Sequence, residues 1–182
     1  MTTFGSDLAS QFLADVGTRL AHSAAVAQRS REAAEVMHLD PARIKQLEQA
    51  GWLHDIGYAP EIANTGFYPL DGARWLRNHD ADDELCSLVA WRTGAFREAR
   101  LRGLDHDLLA EFPEPPRLCI DVLTWADMTS ALDGEVCTVA VRIDEILSRY
   151  DQGSTVHQAV SQSRADLIAG GELIEGLLGS LV

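Results

Sequence analysis

Nowhere in this chain do apolar and polar residues alternate with the two-residue period of a half-buried strand. Its apolar residues recur at steps of three and four, the period of a helix face, so the expected fold class is all-α. No internal repeat is visible, and 182 residues suit one domain able to bury a core without staples. Hydrophobic residues at 46% and charged residues at 24% are globular proportions.

The helices delimit themselves by their end signals. Ser6 or Asp7 caps a first helix through about Val16, and a second runs from about Gly17 to Met37. His22, Val26, Arg29, Ala33 and Val36 form its core-facing stripe, read as starting at His22 with Arg19 and Glu32 outside it. Asp40-Pro41 opens a third helix, whose stripe is Ile44, Leu47, Gly51 and His54. Tyr58 to Tyr68 reads as a loop, and Pro69 starts a helix through about Asn78. Further helices are expected at about 82–92, in a short piece around 98–101, and from Pro115-Pro116 through Asp127, with Ile120, Leu123 and Asp127 on one face. Leu132-Asp133-Gly134 turns the chain into a helix from about Val136 to Tyr150. A last helix begins near Ser154, and Gly170-Gly171 is expected to break it.

Within this pattern His54-Asp55 stands out, because the pair ends an apolar run beside Trp52 and Ile56. An unpaired buried carboxylate there would cost several kcal/mol, and both side chains are competent ligands for a divalent metal. Consecutive helical residues point about 100° apart, so the two can share one ion only at a helix end, where Gly57 relaxes the chain. His22 and Asp127 arrive on buried stripes of two other helices. His38, His79, His106 and His157 read as surface residues, Trp52, Trp75 and Trp125 as core, and Asp80 to Glu84 as a solvated helix start.

This order of residues, His22, then His54-Asp55, then Asp127, resembles the HD-domain metal-dependent phosphohydrolase superfamily, in the form whose doublet reads His-Asp-Ile-Gly. The resemblance covers roughly 17–150, the core of a single HD-domain helical bundle spanning 1–182, with 154–182 as a C-terminal helical extension. It implies one divalent metal (Mn, Fe, Co, Ni, Zn or Mg) held by His22, His54, Asp55 and Asp127. It also implies a small phosphorylated molecule or nucleotide as substrate. Phe67-Tyr68-Pro69-Leu70-Asp71-Gly72-Ala73-Arg74 is similar to a family segment with histidine in place of Tyr68, and Trp91-Arg92 stand where later family histidines fall. Those histidines serve a second metal or the phosphate, so their loss implies a mononuclear site. Asp55 and Arg92 are the expected catalytic residues. Tyr68, Asp71, Arg74, Trp91 and Arg92 are expected around the substrate, with Arg77 a further cation and Asp71, Asp80 and Glu61 as base candidates.

The formal net charge of −13 opposes a general field for nucleic-acid backbones or anionic membranes, so a small anion would need arginines focused locally. Cys86, Cys119 and Cys137 form no paired motif, and the first residues show no export signal. No membrane span is apparent, and a cytoplasmic location is expected. The apolar tail offers a surface for the bundle or for a homodimer.

Overall fold

The computed structural model describes residues 4–181; Met1, Thr2 and Thr3, part of the N-terminal stretch read above, and Val182 lie outside the described residues. The elements are α1 (Ser6–Leu13), α2 (Arg19–Val36), α3 (Pro41–Leu53), a 3-10 turn (Ile56–Tyr58), α4 (Tyr68–Arg77) and α5 (Asp83–Ala90). They continue with α6 (Ala95–Arg102), α7 (Asp105–Glu111), α8 (Arg117–Met128), α9 (Val139–Arg149) and α10 (Thr155–Leu181). Among the described residues the only β pairing is an isolated bridge between Ser130 and Val136. The fold is therefore all-α, as the periodicity dictates. No helix among the described residues is long and apolar enough to cross a membrane.

Helices α2 and α3 pack most extensively, and both lie against α8. The close approach is possible because Gly51 faces the backbone of α2: a Cβ there would sit 2.4 Å from the Ala27 Cα. The buried face of α2 is small and partly polar, with His22, Ser23 and Ser30 among Val26, Ala27, Ala33 and Ala34. Asp40 caps α3 by accepting from the Arg43 amide at 3.0 Å, with Pro41 in the first turn. At its other end Gly57 passes so near α4 that a Cβ would meet the Tyr68 carbonyl oxygen at 2.0 Å. That contact fixes the turn carrying His54-Asp55.

Three elements differ from the expectation. The segment at 105–111 is a helix, packed through Leu108, although no side-chain cap and no long apolar stripe mark it. Helix α9 begins at Val139, not Val136, because Thr138 caps it and the Cys137 amide bonds back to the Thr129 carbonyl at 3.0 Å. Helix α10 runs through Gly170-Gly171 unbroken. Gly171 is a contact residue there: a Cβ would fall 2.7 Å from Val139 Cγ2, so the missing side chain lets α10 lie close on α9. Met128, Val139, Ile143 and Leu167 form a small second apolar cluster beneath these two helices.

Candidate metal centre

His22 and His54 come from different helices but are oriented in the same way. His22 Nδ1 lies 3.1 Å from the Ala131 carbonyl oxygen and His54 Nδ1 2.8 Å from that of Gly51. A carbonyl can only accept, so each Nδ1 carries the proton and each Nε2 presents a lone pair when the ring is neutral. Both rings are 1% exposed, with centroids 5.2 Å apart. Main-chain carbonyls thus aim both histidines, the arrangement that orients imidazoles toward a metal.

The two lone pairs face a carboxylate. His22 Nε2 is 3.0 Å from Asp127 Oδ1, and His54 Nε2 is 4.0 Å from the same oxygen and 3.6 Å from Asp55 Oδ1. His54 Nε2 has no hydrogen-bond partner although it is buried. A proton on it would find no acceptor at bonding distance, and burial pushes the His54 pKa down, toward the neutral ring. A cation between the groups satisfies all of them, since ligands about 2.0–2.2 Å from one ion lie roughly 3–3.6 Å from each other. His22, His54 and Asp127 each place a ligand atom within 4.8 Å of the others, so the residues present fit a divalent ion. Burial pushes the Asp127 carboxyl up, but in the metal-free site a bond from His22 and the charge of His54, each present when its ring is protonated, together with the nearby Arg142 outweigh it and hold it well below the usual carboxylate range. Thr93 Oγ donates to Asp127 Oδ2 at 2.6 Å and fixes the second oxygen.

Asp55, 3% exposed, has different company. Its Oδ2 pairs with Arg19 and its Oδ1 lies 3.3 Å from Arg92 Nη2. Burial raises its pKa, and against that the two guanidinium groups, joined by His54 when protonated, hold the acid ionised. Arg19 also lies over the Tyr58 ring, 3.2 Å from its centroid, and Tyr68 in turn packs on Tyr58 at 4.0 Å. Burial pushes the Tyr58 phenol up to about 12, so it stays neutral beside both arginines. The helical stripe starting at His22 leaves Arg19 outside it, and the structure corrects this: Arg19 reaches buried Asp55. It is three residues before His22, on the same face, and that spacing was the signal available in the sequence. Thr93 left no such mark.

The remaining sequence candidates are distributed unevenly. Arg92 lines the cleft in front of the metal ligands, whereas Tyr68 stands behind Tyr58. Asp71 accepts from the Asn64 and Thr65 amides at 2.9 Å each and from the Thr65 hydroxyl at 2.8 Å, which closes the loop before α4. Arg74 is paired with Glu111 and Asp107, and Arg77 with Glu111. Trp91 donates its indole N–H to the Phe112 carbonyl at 3.0 Å and stacks on Phe96. Glu61 and Asp80 are exposed. The structure therefore gathers His22, His54 and Asp127 at metal-ligand spacing, sets the expected fourth ligand Asp55 beside them in a pair with Arg92, and leaves Asp71, Arg74 and Trp91 in bonds elsewhere.

The fold and the buried centre together define an all-α protein with two histidines and a carboxylate poised for a divalent cation. The HD domain family matches residues 19–132, more than half of the chain, and the chain belongs to that family. The match contains His22, His54, Asp55 and Asp127 with Arg19 and Arg92. No curated protein and no solved structure matches the chain.

Proposed function

We propose that the protein is a metal-dependent phosphohydrolase with a mononuclear centre, acting on a phosphate ester or nucleotide. The observation that carries this reading is the convergence of two carbonyl-aimed imidazole lone pairs on Asp127 in a cleft lined by Arg19, Arg92, Arg142 and Arg149. His22, His54 and Asp127 would hold the ion, with Asp55 as the fourth ligand once it exchanges Arg92 for the metal. A bound divalent ion supplies Lewis acidity and a water of lowered pKa. Arg92, released toward the cleft, then faces the phosphoryl oxygens with a planar fork of donors, and its Nε is buried without a partner in the present arrangement. Arg19, held on Tyr58, keeps Asp55 ionised and in place. In the overall reaction water adds to phosphorus, the bond from phosphorus to the ester oxygen breaks, and the leaving alcohol takes up a proton.

A second reading, a metal-binding HD module that recognises a ligand without turnover, is favoured by the two arginines already on Asp55 and by Tyr68 and Trp91 at family histidine positions. A panel of phosphomonoesters, phosphodiesters and nucleotides, assayed with Mn²⁺, Fe²⁺, Co²⁺, Ni²⁺, Zn²⁺ and Mg²⁺, separates the two. Turnover that disappears in Asp55→Ala supports the hydrolase. Tight ligand binding with no turnover under any metal supports the module.

A further inference from the structure

The cleft has two unlike ends, and its second end is built outside the 19–132 stretch that defines the family. At the metal end stand Arg19, Arg92 and Arg142, the last acting on Asp127 and 5% exposed. Cations are thus concentrated at one point of a chain whose net charge is −13, which favours a small anion there over a general polyanion surface. The opposite wall comes from α9, α10 and the segment between them and presents Ile146, Val156, Val160 and Leu167, together with Arg149 and Tyr150. Among the described residues, Ser163 is the one uncharged polar side chain that α10 contributes to this lining.

Most of this wall is hydrocarbon, with few groups to hydrogen-bond the edge of a nucleobase. It can exclude water from hydrocarbon. The free space is about 80 Å³, well below the roughly 300–1,000 Å³ of pockets that enclose drug-sized ligands. Resting on the phosphate-ester reading above, we propose that the ligand of this cleft is a monophosphate ester of a small apolar alcohol, its phosphate at the arginine end and its hydrocarbon against Val156 and Val160. Helices α9 and α10 are then the specificity element that this chain adds to the HD core.

Calorimetric titration of the Mn²⁺-loaded protein with methyl-, propyl- and butylphosphonate, inorganic phosphate and adenosine monophosphate tests this without requiring turnover. Affinity is expected to rise about fourfold per added CH₂, the ratio that corresponds to burial of one methylene. Val156→Ser and Val160→Ser are expected to flatten that rise while leaving the affinity for inorganic phosphate unchanged. A flat series in the wild-type protein, or adenosine monophosphate binding more tightly than butylphosphonate, overturns the proposal. A steep series with no hydrolysis of any ester supports it and overturns the hydrolase reading alone. Hydrolysis with a flat series does the reverse, and failure of all the phosphonates and phosphate to bind overturns both.

Discussion

Two buried carboxylates share the floor of the cleft, and their surroundings are opposite in kind. Asp127 faces the Nε2 lone pairs of the neutral His22 and His54 rings and, among the described residues, is in no ion pair with an arginine. Asp55, next to His54 in the chain, already has two cations in Arg19 and Arg92. A carboxylate among lone pairs is prepared for a metal, whereas a carboxylate between guanidinium groups has had its charge answered by the protein itself. The difference teaches how one buried cleft in an HD core keeps two carboxylates ionised by different means. On the mononuclear reading proposed above, Arg92 supplies from the chain itself the positive charge that a second ion would bring.

The largest expected effect breaks the Asp127 side. Asp127→Ala should weaken divalent-metal binding by at least about 100-fold and abolish turnover, read by competition with a fluorescent chelator and by the ester panel. Arg92→Ala probes the other side: turnover should fall by roughly 10²–10³, while metal affinity is retained or rises because Asp55 is freed. Equal loss of metal and activity in this variant would erase the contrast between the two carboxylates.

Acid titration tests the same contrast in the metal-free protein. Asp55 and Asp127 have folded-state pKa values below their usual value, so their contribution is present above about pH 4 and is lost as pH falls below it. The His54 pKa is also lowered, so below about pH 6.5 the unfolded chain binds a proton that the folded one resists, and stability falls there too. The urea midpoint in chelator should therefore decline from about pH 6.5 downward and steepen below about pH 4. A midpoint that rises between pH 7 and 5 would mean that the histidines prefer protons and pair with the carboxylates as a metal-free cluster. The smallest effect is expected at Arg74, whose partners are surface acids. Arg74→Ala should cost under about 1 kcal/mol in urea unfolding and leave turnover unchanged.

The sequence made His22, His54, Asp55 and Asp127 legible because each sits on a helical stripe or helix end, where a local period reports which way a side chain points. The same rule reaches Arg19, three residues before His22, but a long side chain at a helix start is easily read as solvated. Thr93 and Arg142 are positioned by tertiary packing and have no local mark. Asp71, Arg74 and Trp91 illustrate the reverse. Their engagements depend on Thr65, Glu111 and Phe112, and only Thr65 is near in sequence. Gly170-Gly171 was legible as a weakness in a helix, yet its role is set by Val139 on a neighbouring one. The all-α class was open to inspection throughout, since no segment carries a strand period.

The central claim is that His22, His54 and Asp127 form a metal centre, and the most direct measurement is the metal stoichiometry and affinity of the purified protein beside His54→Ala. Elemental analysis with calorimetric titration should find one divalent ion per chain in the wild type, and none retained by the variant at the same protein concentration with its helical content intact. A folded wild-type protein that carries no metal and takes up none of the six ions would contradict the account.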